Sequence, residues 1–306
     1  MKALVTTTDG DFGLRLDSVA EPEPLPGQAL VAVGAVAVNR GELSVIGRLP
    51  PGSRIGWDVA GTVVRPAADG SGPAAGSRVL GLADRDGWAE RIALDTGSLA
   101  RLPASLDLPA AAALPVAGLT ALYALQRAGR LIGRTVLVTG AGGGVGRIAV
   151  QLAAAAGARV IAWVGSAERA KGLDELGADV VDLYGAKHTE PVDIVLDSCG
   201  GDVLAQAFGP VVPGGSVVCF GNTARAELRL PADWGRARPG VSLHYVYLFD
   251  EITRHDVARD LAFLVQLVTE NRLDPQVALT ADWTEPEPAL RSLQERRVNG
   301  KVVLAL

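Results

Sequence analysis

The sequence predicts an α/β chain, a doubly wound parallel sheet covered by helices, joined to a β-rich domain. Three observations predict it. Short β-type runs separated by Pro, Gly and Asp fill the chain from Met1 to about Pro115, and from about Gly118 fully apolar runs alternate with helical segments. Between one such strand and the helix after it lies a glycine-rich turn.

Taken in order, ALVTT, ALVAVGAVAV, GTVV, RVLGL and ERIAL read as the short strands of the first region. The three prolines of AEPEPLPGQ and the ADGSGPAAG run mark loops between them. The second region begins with a helix, GLTALYALQRAG, then a strand, TVLVTG, and a helix from Val145 to Ala156. RVIAWVG reads as a strand, AERAKGLDELG as a helix, and ADVVD, VDIVLDSCGG, SVVCFGN and VSLHYVYLF as further strands, with a helix near VLAQAFG. Continuous apolar strands joined by helices belong in a parallel sheet buried on both faces, which predicts six strands with a ligand site at their carboxyl ends.

Beyond about Glu251 the spacing predicts a long amphipathic helix in ITRHDVARDLAFLVQLVTENRL, a shorter one in PEPALRSLQERR and a terminal strand KVVLAL. The parallel sheet already has its strands, so this tail is expected to pair with the first region. The division is therefore 1–115 plus 252–306 for one domain and 116–251 for the other.

Composition excludes several classes of function. The chain has 306 residues, long enough for two domains, and its net charge of −5 argues against nucleic acid or an acidic membrane surface as partner. Lysine occurs only at positions 2, 171, 187 and 301, and the two cysteines, Cys199 and Cys219, have neither metal-ligand spacing nor the number for a disulfide framework. MKALVTTTDG enters a strand without an apolar leader segment, so a cytoplasmic location is expected. VGRIAVQLAAAAGARVIAWV is about the length of a membrane span, but Arg147, Gly157 and Arg159 divide it into a helix, a turn and a strand.

The strongest motif is TVLVTGAGGGVGRIAVQL, whose glycines follow Gly140-x-x-Gly143-x-x-Gly146, with Gly142 and Gly144 between them and Val145 opening the helix. A dinucleotide pyrophosphate needs this order: the chain turns tightly, bare backbone approaches the phosphates, and the helix N-terminus faces their charge. NAD-preferring versions carry a carboxylate at the tip of the next strand to accept from the ribose 2′-hydroxyl. Here that strand ends AWVGS, so Gly165 and Ser166, followed by Arg169 and Lys171, stand where a carboxylate would. A hydroxyl and two cations suit a 2′-phosphate, and the expected cofactor is NADPH/NADP.

AVNRGEL, GWDVAGTVV, GSRVLGL, GWAERIAL, LPVAGLTALYAL, VTGAGGGVG, VDIVLDSCGG, PGGSVVCFG and VNGKVVLAL, taken together, resemble the zinc-independent quinone oxidoreductase and enoyl reductase branch of the medium-chain dehydrogenase/reductase superfamily. The resemblance runs from about residue 30 to the C-terminus. It implies a Rossmann-type domain inserted into a GroES-like β-rich catalytic domain, with the active site in the cleft and a homodimer formed through the VSLHYVYLF edge. In the zinc-dependent branch a catalytic cysteine would stand near Asn39, and Gly-His-Glu where Gly56, Trp57 and Asp58 are. Carboxamide and indole cannot replace thiolate and imidazole on zinc, so no catalytic metal is expected. Trp57 is expected to fill the vacated volume, and Asp58 to pair with a local arginine such as Arg40 or Arg54.

The implied activity is NADPH-dependent hydride transfer to a quinone or to the C=C of an α,β-unsaturated carbonyl compound, with a small-molecule substrate as partner. The resemblance places Asn39 at the nicotinamide ribose or the substrate carbonyl, and Asn222, Asn299 and Lys301 near the nicotinamide end. Several relatives carry a tyrosine shortly after AVN, where this chain has ELSVIGRLP. The proton donor is thus open: Arg48 is a candidate contact for a polar substrate, Tyr245, Tyr247 and His244 are candidates from the last strand of the second region, and water is another source. Two other readings stay open, a non-redox cyclisation or lyase step on the same scaffold and a nucleotide-binding protein without catalysis.

Overall fold

The computed structural model describes residues 1–186, 190–230 and 232–306; Lys187, one of the four lysines, lies outside the described residues. The chain divides into two compact units, one of residues 1–119 and 254–306, the other of residues 120–253.

The strands of the first unit are β1 (Lys2–Thr6), β2 (Leu14–Ser18), β3 (Gln28–Val38), β4 (Asp58–Arg65), β5 (Arg78–Leu82), β6 (Arg91–Asp95) and β7 (Leu99–Arg101). A short helix, α1 (Arg40–Val45), follows β3, and α2 (Leu108–Ala112) precedes α3 (Pro115–Ala128), which carries the chain into the second unit. β3 is the pivot: β4 pairs with it on one side, and along its length β6 and the chain's last strand share the other. Its register against β4 slips between Val33 and Ala35, which a bare Gly34 allows, since a side chain there would meet Leu108.

The second unit holds β8 (Thr135–Thr139), α4 (Gly144–Ala155), β9 (Arg159–Val164), α5 (Ala167–Ala170), β10 (Val180–Leu183), β11 (Val192–Asp197), α6 (Gly201–Phe208), β12 (Val211–Cys219), α7 (Trp234–Ala237), β13 (Ser242–Tyr245) and α8 (Leu248–Glu251). The six strands form one parallel sheet in the order β10-β9-β8-β11-β12-β13. The order reverses direction at β8, so the crevice beside the carboxyl ends of β8 and β11 is the switch point of the sheet. Strands buried on both faces explain the unbroken apolar runs, from Val136 to Val138 and from Val160 to Val164.

The chain returns to the first unit through α9 (Val257–Thr269), β14 (Val277–Asp282), α10 (Glu287–Gln294) and β15 (Lys301–Ala305). β15 lies antiparallel to β3, with Val302 opposite Val38, and β14 extends the sheet beyond it. Val302, Val303 and Leu304 are wholly buried there.

Some expected elements are shorter than the sequence suggests. The helix expected over AERAKGLDELG stops at Ala170, because Gly172 and Gly177 both take positive φ, 72° and 98°, and turn the chain instead. The helix expected from Ile252 starts at Val257, where the Asp256 carboxylate accepts from the Arg259 N–H at 3.1 Å and caps it. The VSLHYVYLF strand ends at Tyr245, and Leu248 begins a helical turn. β14 has alternating burial that its sequence, VALTAD, only faintly announces. Among the described residues no helix is long and apolar enough to cross a membrane.

Candidate functional site

The candidate residues fall into two groups, one in each unit. In the second unit the sheet's switch point carries the glycine loop. Leaving β8, the chain turns at Gly140, whose φ of 62° few side-chain-bearing residues adopt. Gly143 then stands at the N-cap of α4 without a capping side chain, so the backbone N–H groups of the first turn point into the loop without intrahelical partners. Two approaches require glycine. A Cβ at Gly146 would overlap the Gly140 carbonyl, and one at Gly142 would lie 2.7 Å from the Arg169 carbonyl oxygen and 3.3 Å from its Nε. The loop is therefore a cradle of bare backbone, with the Arg169 side chain lying alongside it.

Tyr184, just beyond β10, completes this cradle. Its hydroxyl accepts from the Gly140 N–H at 2.9 Å and lies 3.2 Å from the Cys199 sulfur. Burial and the neighbouring Cys199 raise its phenol well above the ordinary range, against the pull of the Gly140 N–H and the Arg169 cation, so it is a neutral hydroxyl. The sequence reading missed Tyr184; its signal was a polar aromatic at a strand's carboxyl end. Asp197 ties β11 to β8 beneath the loop. It accepts from the Thr139 hydroxyl at 2.5 Å and the Gly200 N–H at 2.8 Å, and burial raises its pKa.

Gly165 and Ser166 are exposed at the tip of β9, and the Ser166 hydroxyl caps no backbone N–H of α5. Lys171 is also exposed and pairs with Glu168 at 2.5 Å, so of the two expected cations Arg169 is the one the fold holds against the glycine loop. Asn222 is exposed too, and its carboxamide bonds the backbone of Ala226 at both ends, bracing the turn after β12. Tyr245 lies 63% exposed on the edge strand β13 and Tyr247 just after it at 59%, with the Tyr247 and Phe249 rings in tilted contact; His244 is half-buried.

The first unit gathers its candidates where three strands meet: the end of β3, the start of β4 and the start of β15. Asn39 is the N-cap of α1. Its Nδ2 donates to Asp58 Oδ2 at 2.8 Å and to Glu42 Oε2 at 3.3 Å, while its Oδ1 accepts from Lys301 Nζ at 2.6 Å. Lys301 Nζ also donates to Asp58 Oδ2 at 3.0 Å. The other Asp58 oxygen accepts from the Val116 N–H at 2.6 Å, at the first turn of α3. Glu42 accepts from the N–H groups of Asn39 at 2.7 Å and Trp57 at 2.8 Å. Burial, then the Asp58 carboxylate, push Glu42 up to about 8, although these N–H groups and Lys301 pull the other way.

One expectation is corrected here. Asp58 pairs with neither Arg40 nor Arg54: Arg40 donates to the Leu293 carbonyl, Arg54 pairs with Asp86, and the carboxylate, wholly buried, meets Lys301 across the β3 strand. Lys301, which the resemblance places near the nicotinamide end, is buried: its side chain is 3% exposed and its ammonium is held between Asp58 and Asn39. An ammonium buried this deeply needs such partners. Trp57 is half-buried and packs its six-membered ring over Gly41 of α1, where a side chain would collide with it. Arg48 is exposed at the end of the turn after α1, and Asn299 is half-buried in the turn before β15.

A family model described as "Zinc-binding dehydrogenase" matches residues 176–304. Among solved structures, the quinone oxidoreductase of Thermus thermophilus, also solved in complex with NADPH, is 32% identical with a TM-score of 0.87, and each chain is covered in full. Quinone oxidoreductase-like protein 2 of Bos taurus is 29% identical over 82% of this chain and 76% of its own. The spectinabilin polyketide synthase system protein NorB of Streptomyces orinoci is 35% identical over 92% of this chain, which spans only 13% of that protein's length. The donors present do not fit the zinc of the matched family's description: among the described residues no three His, Cys, Asp or Glu side chains stand together as a metal site, and Asn39 and Trp57 supply neither thiolate nor imidazole.

Proposed function

Because the chain belongs to the medium-chain dehydrogenase/reductase superfamily, in its zinc-independent quinone oxidoreductase and enoyl reductase branch, we propose that it is an NADPH-dependent reductase of quinones or of the C=C of α,β-unsaturated carbonyl compounds. The observation that carries this reading is the glycine cradle between β8 and α4, with Arg169 against it and no carboxylate at the tip of β9. The α4 N-terminus and bare backbone receive the pyrophosphate. Arg169 and the Ser166 hydroxyl receive the 2′-phosphate, and Tyr184 holds Gly140 in its turn.

Bound NADPH supplies a hydride. With an enone, the hydride adds to the β-carbon, the π electrons move onto the carbonyl oxygen as an enolate, and a proton from water at the α-carbon completes the saturated product. Asn39 serves as an acceptor. Its Nδ2 donates to the Asp58 carboxylate and the Glu42 carboxyl and one Oδ1 lone pair faces Lys301, so the group it offers is the remaining Oδ1 lone pair. That suits a hydroxyl of the nicotinamide ribose and not the oxygen of a substrate carbonyl. Arg48, exposed, offers its guanidinium to a polar substrate group.

The test is NADPH oxidation measured against a panel of enones and quinones. We expect turnover of at least one class, with NADPH preferred over NADH by tenfold or more in kcat/KM, and Arg169→Ala removing most of that preference by weakening NADPH alone. Tight NADPH binding with no turnover across the panel overturns the reductase reading. We also propose a homodimer through the β13 edge, where Leu243 and Tyr245 are exposed on a strand without proline or lysine and Tyr247 is exposed just beyond it. Leu243→Lys should then halve the mass measured by light scattering.

A further inference from the structure

The polar cluster at the head of β4 and β15 bears on how Asn39 comes to be an acceptor, an inference that rests on the proposed reductase reading. A carboxamide has two ends of similar size, and rotation of its last torsion by half a turn exchanges donor for acceptor. Within α1 the Glu42 carboxyl accepts from Nδ2 at 3.3 Å, the longest of the carboxamide's contacts with these three side chains. The shorter contacts, which choose between the two arrangements, come from two strands: Asp58, at the start of β4, accepts from Nδ2 at 2.8 Å, and Lys301, at the start of β15, donates to Oδ1 at 2.6 Å. Reversing the carboxamide would set its NH2 against the ammonium and its oxygen against the carboxylate, two repulsive contacts in place of two charge-assisted bonds. The two charged groups also hold each other at 3.0 Å, and their side chains are 3% and 0% exposed, so water cannot screen either contact.

We propose that the Lys301–Asp58 pair is a positioning device for the reaction: it sets the polarity of the Asn39 carboxamide so that an Oδ1 lone pair, not an N–H, is presented to the cofactor ribose. Lys301 and Asp58 touch neither substrate nor cofactor and act through Asn39.

Removing Lys301 alone leaves Asp58 buried without its counter-charge and threatens folding. The test therefore uses the charge-neutral double variant Asp58→Asn/Lys301→Met. Its new carboxamide still offers an oxygen to the Val116 N–H but turns a nitrogen toward Asn39 Nδ2, which frees Asn39 to reverse. The chain has four asparagines, Asn39, Asn222, Asn271 and Asn299, so asparagine-selective ¹⁵N labelling resolves the Asn39 side-chain amide. Its hydrogens should exchange slowly in the native protein and quickly in the double variant.

In turnover, the double variant and Asn39→Ala should each lose roughly ten- to a hundredfold in kcat with little change in NADPH affinity, as expected of a misplaced orienting group. The triple variant should fall no lower than Asn39→Ala, because the pair has no other route to the reaction. A triple variant whose loss multiplies the other two, an Asn39→Ala protein with full kcat, or an Asn39 amide unaltered in the double variant each overturns the proposal. Should no enone or quinone be reduced by the native protein, the reductase reading falls by itself, and amide exchange still decides whether the pair holds the carboxamide.

Discussion

Glu42 shows most directly how one side chain links this fold to solution conditions. The carboxyl is wholly buried beside Asp58, and its pKa rises from 4.5 to about 8. Below pH 4.5 the folded and unfolded chains both hold this proton, whereas between 4.5 and 8 the folded chain alone retains it. Raising the pH through that window therefore withdraws stability, at up to about 1.4 kcal/mol per unit, and beyond it the loss stops growing. Denaturant unfolding at a series of pH values should show this slope, and Glu42→Gln should flatten it while costing about 1–3 kcal/mol at the acid end, because one of the N–H groups of Asn39 and Trp57 loses its acceptor. An equal slope in the variant would assign it elsewhere. Little of this was legible in the sequence. GWDVAG marked Trp57 and Asp58 as departures from a metal-binding pattern, but Asp58 meets a partner 243 residues away, a separation at which no local spacing rule operates.

At the scale of the element, the strand, turn and helix around Gly140 to Gly146 were legible because the demands there are local: a tight turn, a positive φ and a helix N-terminus all write themselves as glycine. The same locality makes the loop testable. Gly146→Ala would force its new methyl into the Gly140 carbonyl, opening the turn that Tyr184 holds from the other side, and should weaken NADPH binding at least about tenfold, some 1.4 kcal/mol. Gly97→Ala, at an exposed position where nothing lies within 4 Å of the added methyl, should leave it unchanged. Titration of NADPH fluorescence distinguishes the two, and equal affinities in both variants would mean that the loop does not hold the phosphates. Element ends were less legible than element cores. α5 stops and α9 starts where Gly172 and Asp256 override a helical pattern that continues through them.

At the scale of the whole molecule, the first unit is discontinuous in sequence, and its completion depends on the last strand. The amphipathic tail announced that something had to return, but the sequence did not say that β15 would lie against β3 and bring Lys301 to Asp58, since strand partners chosen by shared burial carry no code in either strand alone. Removing residues 301–306 would strip Val302, Val303 and Leu304 from the core, at about 1.5–3 kcal/mol each, and leave Asp58 buried without its cation. The sum, roughly 5–9 kcal/mol before the unpaired Asp58 carboxylate is counted, is comparable to the whole stability of a typical domain. The second unit draws none of its six strands from the tail and has its own core around Leu137, Ile161, Trp163 and Phe208. Limited proteolysis of the truncated protein should therefore degrade residues 1–119 while a fragment close to 120–253 persists and still protects its glycine loop in the presence of NADPH. Uniform resistance of both units would show that β15 is dispensable to the first. Uniform digestion would show that the second unit cannot stand without it.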